Sequence, residues 1–392
     1  MKKPIYLDYN ATTPHAPEVI EAMQPYLREH FGNPSSSHWY GKEPKRAVEK
    51  ARQQVAGLLQ CLPEEIVFTS GGTEANNHAI QGIAWAMRDR GKHIITSAIE
   101  HPAVLNVCRF LAEHGVETTI LPVDDQGLVD PDDVGRAIRP ETILITIMHA
   151  NNEVGSIEPI AEIGDIARDK KIIFHTDAAQ AVGKIPTLVD ELKVDLLSIA
   201  GHKLYAPKGI GALYIRRSCH PAKFCHGAGQ ERGLRAGTEN VMQIVGLGRA
   251  CELATENLQH HMTVMQTLRD RLFVALSHAL PEIRRNGPLG LEKILPNTLN
   301  VSIKEVAADR ILNLIAHEVA ASAGAACHSD TVEISHVLQA MHVPEEWAKG
   351  TIRFSVGRMT TTRQIDRAAE VVLAAVKEAR GYPSNKVRSH VG

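Results

Sequence analysis

The chain of 392 residues has no long apolar run. No stretch approaches the ~18 uncharged apolar residues that a membrane helix needs, so a helical membrane protein is excluded. Met-Lys-Lys is followed at once by PIYLDYN, without the apolar core of a secretory signal. Charge excess is missing too: 43 basic and 45 acidic side chains leave a formal net charge of −2. Neither a strong basic field for nucleic acid nor the acidic surplus of a disordered chain is present, and direct nucleic-acid binding is not expected. Cysteines are few and scattered, at positions 61, 108, 219, 225, 251 and 327. They form no paired framework and read as free thiols of a reducing compartment, which makes the cytoplasm the expected location. Cys219, His220, Cys225 and His226 lie close together and are zinc-ligand types. Their spacing is not C-x2-C and no second pair follows, so they are read as loop residues near a pocket and no metal is expected.

What is present is alternation. EEIVFTS, KHIITSA, VETTILPV, ETILITIMHA, KIIFHTDA and VDLLSIAG read as strands, most of them continuous apolar runs suited to a sheet covered on both faces. Helical stretches lie between them: GTEANNHAIQGIAWAMRDR, HPAVLNVCRFLAEHG, DPDDVGRAI and IAEIGDIARDK. Asp130 or Asp132 suits the N-cap of the third. This is the pattern of an α/β fold with a mostly parallel, doubly wound sheet. A long helical stretch over about 243–279 follows, then a smaller C-terminal α+β region with NTLNVSI, TIRFSVG and a last helix over about 362–380. The expected division is a large domain over 15–255, a small domain made of 1–14 and 256–380, and a frayed polar tail over 381–392.

Ligands of such sheets bind at the carboxyl ends of the strands. One strand there ends in GGTEANN, where two glycines permit close backbone approach and Thr73 with helix N-terminal amides suits a phosphate. Turn geometry alone also explains such glycines. The next candidate strand ends in Asp177, followed by Gln180; Asp177 suits a protonated ring nitrogen or simply caps a turn. Another ends in GHKLYAPKGIG, where Lys203, if desolvated, suits a Schiff base, and otherwise is a solvated lysine. Each signal is ambiguous alone. Together they suit pyridoxal 5'-phosphate, with lysine on its aldehyde and aspartate on its pyridine nitrogen. A lone thiol, Cys327, stands in ASAGAACHSD, whose small residues suit a mobile loop or a packed, inert cysteine.

The stretches YLDYNATTP, FGNPSSSH, TSGGTEANN, EHPAV, HANNEVGSIEPI, HTDAAQAVGK, GHKLYAPKGIGALYIR, GQERGLRAGTEN and IRFSVGR resemble the NifS/IscS-type cysteine desulfurases. These are fold-type I, class V aminotransferase-like enzymes, and the resemblance runs from about Ile5 to Arg380. It implies removal of sulfur from L-cysteine, leaving L-alanine and a Cys327 persulfide that passes to a sulfur-acceptor protein. The acceptor would serve iron–sulfur cluster assembly, tRNA thiolation or DNA phosphorothioation. It further implies that Lys203 holds the cofactor, Asp177 and Gln180 contact its ring, and His101 stacks on the ring and moves protons. Gly72, Thr73 and His202 would bind the phosphate, and Thr238 would reach the phosphate of a second copy in a homodimer. Asn152 and Arg353 would grip the substrate carboxylate, Arg353 having a structural ion pair as its plainer reading. Ala200 departs from the family, which often has a phosphate-bonding serine there. GAACHSD also resembles selenocysteine lyases, so L-selenocysteine is the alternative substrate. Another class V aminotransferase or lyase and a non-catalytic sulfur-carrier scaffold complete the alternatives.

Overall fold

A computed structural model describes residues 3–323, 325–328 and 331–381, without side chains at 325–328 and 331–333. The tail from 382 onward, expected to fray, lies outside the described residues. Apolar runs become strands. Ile66–Thr69, His93–Ser97, Thr142–Thr146 and Leu196–Ala200 are buried at every residue, and Ile173–Asp177 at all but its first. Covering on both faces is what their composition requires. Glu117–Leu121, with more polar residues, forms an edge and is half open to solvent.

These six strands and Gly211–Ile215 make one sheet. The order from one edge is Ile66–Thr69, Gly211–Ile215, Leu196–Ala200, Ile173–Asp177, Thr142–Thr146, His93–Ser97, Glu117–Leu121. Gly211–Ile215 escapes the strand reading of the sequence, and it alone runs against the rest. Its direction follows from its connection. Residues 201–210 are too few for the crossover a parallel neighbour needs, so the chain can only turn back.

The expected helices form at Gly72–Ala86, Pro102–Ala112, Pro131–Ala137 and Ile160–Lys170. Asp130 caps the third, its carboxylate accepting from the Asp132 amide at 2.9 Å. Two helices that the sequence reading passed over, Pro17–Arg28 and Trp39–Leu59, precede the sheet. Trp39–Leu59 buries Ala47, Val48, Ala51, Val55, Leu58 and Leu59, one apolar stripe at helical spacing.

After the long helix Val241–Ala279, an antiparallel sheet forms in the order Ser322–Ala323, Thr351–Ser355, Thr298–Ile303, Ile283–Asn286. Its core joins Leu7, Leu268, Leu272, Val301, Ile352, Phe354 and Val372, separate from the clusters that flank the large sheet. Val337, Leu338 and Met341, which follow the Cys327 segment, pack instead into a large-sheet cluster.

One buried ion pair ties helix, sheet and loop. Arg52 meets both oxygens of Glu231 at 2.8 Å and donates to the Ile66 carbonyl at 2.8 Å. Glu231 also accepts from the Phe68 amide at 2.8 Å, and the guanidinium lies 4.7 Å from the centre of the Phe68 ring. Both side chains are almost wholly enclosed, so losing one strands a charge in low dielectric. Glu231→Ala is therefore expected to destabilise the protein by about 3–5 kcal/mol, read as a lower midpoint in guanidinium unfolding. Replacing Arg52 and Glu231 together by apolar residues should cost less than Glu231→Ala alone; a larger loss would refute this account.

Candidate active site

The carboxyl ends of the parallel strands meet at one rim and enclose a cavity of about 300 Å³. Ile66–Thr69 leads into Gly71, whose φ of 153° and ψ of −177° belong to a region essentially reserved for glycine. That turn starts helix Gly72–Ala86, and Gly72 and Thr73 line the cavity. A Cβ on Gly72 would stand 3.2 Å from the Cβ of Ala200, at the end of another strand. The backbone is thus open to close approach at a helix N-terminus, an anion-binding arrangement. Ala200 lines the same cavity. Its methyl group offers no hydroxyl.

Asp177 closes strand Ile173–Asp177, 5 % exposed. Its Oδ2 accepts from Asn76 Nδ2 at 2.6 Å and its Oδ1 from the Ala179 amide at 2.9 Å. Each oxygen keeps lone pairs for a further donor such as a protonated ring nitrogen. His101 caps helix Pro102–Ala112 by accepting the Ala103 N–H on Nδ1 at 3.1 Å, so its Nε2 carries the hydrogen of the neutral ring. Desolvation holds its pKa below the ordinary histidine value.

Lys203 follows strand Leu196–Ala200 in a short 3-10 turn. Its Nζ donates to the carbonyls of Asn10 at 2.6 Å and Ala11 at 2.8 Å. Burial, with the Arg353 charge next, lowers its pKa to about 8, against the opposing pull of Asp177. An amine that loses its proton this easily is a nucleophile for an aldehyde. His202 is depressed to about 4 by burial and by the cations Lys203, Lys208 and Lys184, and its neutral ring sits 3.2 Å from Thr12 Oγ1 through Nδ1. Gln180 donates through Nε2 to the Asn10 carbonyl at 2.9 Å and lines the cavity.

Arg353 enters from strand Thr351–Ser355 of the second sheet. Its Nη2 meets Asp8 Oδ1 at 2.7 Å and Ser322 Oγ at 3.1 Å, and its Nη1 meets the Asn152 carbonyl at 3.0 Å. The ion pair that was the plainer reading of Arg353 does exist. It leaves one N–H of Nη1 and that of Nε without a partner among the described residues. Asn152 lines the cavity beside it.

The cavity thus gathers Gly72, Thr73, His101, Asn152, Asp177, Gln180, His202, Lys203 and Arg353. Thr238 is exposed and does not line it. Cys327 and His328 lie on strand Ala325–His328, paired in register with Thr331–Ile334, where the sequence suggested a loop; their side chains lie outside the described residues. Cys219 is buried and Cys225 exposed, and no group of metal-ligating side chains forms among the described residues. Sequence reasoning assigned no role to Asp8, Asn10, Asn76 or Lys184. Asn76 carries a local signal, one turn into the helix that opens at Gly72, and Lys184 stands four residues after Gln180, its nearest partner; the partners of Asp8 and Asn10 are remote in sequence.

An amine of lowered pKa, an anchored carboxylate and a glycine-lined helix N-terminus around one cavity fit pyridoxal phosphate by donor set and charge. The protein-family model described as aminotransferase class-V matches residues 5–368. A cysteine desulfurase IscS of Dictyoglomus turgidum is 49 % identical over 381 residues, 97 % of this chain and 96 % of that protein. One from Methanosarcina thermophila is 50 % identical over 379 residues, 96 % of this chain and 93 % of its own. A solved NifS-like protein superposes with a TM-score of 0.90 at 37 % identity, covering 96 % of this chain and all of the other. The fold, the cavity and these likenesses agree: the chain belongs to the class-V aminotransferase family and, within it, to the pyridoxal-phosphate-dependent cysteine desulfurases of the NifS/IscS type.

Proposed function

We propose that this chain takes the sulfur of L-cysteine onto Cys327, leaves L-alanine, and passes the sulfur to an acceptor protein. The observation that supports it most is the convergence of Lys203, Asp177 and Arg353 on one cavity. Ser322, which bonds Arg353, stands five residues before Cys327. Relatives 49 and 50 % identical are named for cysteine, and selenocysteine lyase is not favoured.

When bound, the cofactor supplies an electron sink for charge at the substrate α-carbon. Lys203 would hold its aldehyde, Asp177 would keep the ring nitrogen protonated, and Gln180 and His101 would contact the ring. Gly72, Thr73 and His202 would take the phosphate. Arg353, through the second N–H of its Nη1, and Asn152 would receive the substrate carboxylate. The Lys203 amine would take the α-proton, and His101 would help move protons through its Nε2–H. The Cys327 thiolate bonds to the substrate sulfur as the carbon–sulfur bond breaks, and the electron pair left on carbon ends in a C–H bond of L-alanine. A cysteine persulfide remains for transfer. Thr238, exposed on this chain, is assigned to the phosphate of a second copy in a homodimer. No helix among the described residues is long and apolar enough to cross a membrane, and the cytoplasm is the proposed site of action.

Cys327→Ser should keep the visible absorbance of the bound cofactor yet release sulfide from L-cysteine at below about a hundredth of the wild-type rate. Wild-type turnover in that variant would remove the thiol from the reaction. Apo-protein mixed with pyridoxal phosphate should develop its visible band faster as pH rises through about 8, because Lys203 loses its proton there, and level off above it. A rise continuing toward pH 10 would place the amine in an ordinary solvated setting. Ala200→Ser should tighten cofactor binding to the apo-protein by about fivefold, one added hydrogen bond to phosphate; unchanged affinity would show that position 200 does not meet the phosphate.

A further inference from the structure

Lys184 is buried, 5 % exposed, in the turn that follows Asp177, and the reaction as drawn gives it no part. Its Nζ lies 2.5 Å from Gln180 Oε1 and 3.2 Å from Asn10 Oδ1. The other end of Gln180 faces the backbone carbonyl of Asn10 at 2.9 Å. A carbonyl only accepts, so the nitrogen end of the amide must face it, and the oxygen end is left to Lys184.

We propose that Lys184 is a positioning residue that fixes the orientation of the Gln180 amide, so that Gln180 presents an N–H, not a carbonyl oxygen, to the cofactor-binding cavity. An amide has two N–H groups. One is engaged by Asn10, and the second is available to an acceptor such as the ring oxygen of the cofactor. Without Lys184 the amide oxygen is a buried acceptor with no donor among the described residues. A flip that brings it to the cavity then loses a bond and sets one oxygen against another.

The partners of Lys184 suit this work. Both are neutral amide oxygens, and among the described residues no carboxylate is bonded to it. Burial, with Lys203 and Arg353 nearby, holds its pKa well below the ordinary lysine value. It needs no counter-ion to act as a donor.

The inference rests on the reading of Gln180 as a cofactor contact, and a double-mutant cycle separates the two. The dissociation constant of pyridoxal phosphate is measured on the apo-proteins of wild type, Lys184→Met, Gln180→Ala and the double variant, with the absorbance maximum of each complex. Methionine keeps the length of the side chain and removes the donor. Lys184→Met should weaken binding about tenfold and shift the maximum toward that of Gln180→Ala, and the double variant should bind no more weakly than Gln180→Ala alone. Wild-type affinity in Lys184→Met, or a loss that adds in full to that of Gln180→Ala, would overturn the positioning role while leaving Gln180 in place. Wild-type affinity in Gln180→Ala would overturn both readings. If melting shows Lys184→Met apo-protein to be unfolded, Lys184→Leu serves in the same cycle with the same outcomes.

Discussion

The cavity depends on one buried asparagine. Asn10 is 1 % exposed, and a polar side chain so enclosed must satisfy its donors and acceptors within the protein. Its amide nitrogen donates to Thr298 Oγ1 at 2.8 Å and the Asn152 carbonyl at 3.1 Å, and its backbone N–H donates to Ser355 Oγ at 2.9 Å. Its side-chain oxygen receives Asn297 at 2.9 Å as well as Lys184, and its carbonyl receives Gln180 and Lys203. One residue near the start of the chain thereby joins the rim of the parallel sheet to the antiparallel sheet that brings Arg353. Lys203 and Arg353 come from different sheets, and this hub makes them neighbours.

The charges around that hub oppose one another. Three basic side chains, Lys184, Lys203 and Arg353, act on one another here, and two carboxylates, Asp8 and Asp177, act on Lys203. Burial and the arginine both push Lys203 toward its neutral form, while Asp177 and Asp8 pull the other way. Asp8 compensates Arg353 directly, across a gap of 345 residues in sequence. A single substitution among these groups therefore reaches the others through the field they share as well as through contact.

What the sequence discloses follows the range of the interaction behind it. The continuous apolar strands and the helices between them depend on local composition and were legible. So were Asp177 and Lys203, because a charged residue at the end of an apolar strand is conspicuous. Gly211–Ile215 was not, since its apolar run is short and follows a glycine-rich turn. Trp39–Leu59 was obscured by Pro44 and by a polar first half. Asp8 and Asn10 act through partners brought close only by the fold, and no spacing rule relates Asp8 to Arg353 or Asn10 to Thr298. Arg353 shows the same limit from the other side. Its residue type suits a carboxylate, but only the fold reveals that one of its own already stands there.

Ser322 bonds both Asp8 and Arg353, which anchors the chain beside the Arg353 guanidinium. Cys327 lies five residues beyond it. Even a fully extended chain carries five residues no farther than about 18 Å. The backbone bearing the sulfur is thus on a short leash whose fixed end is at the cavity. On the proposed reaction, an acceptor must bring its own receiving atom to about that sphere, so surfaces of the protein far from the Arg353 strand are out of reach of the Cys327 sulfur whatever else binds them.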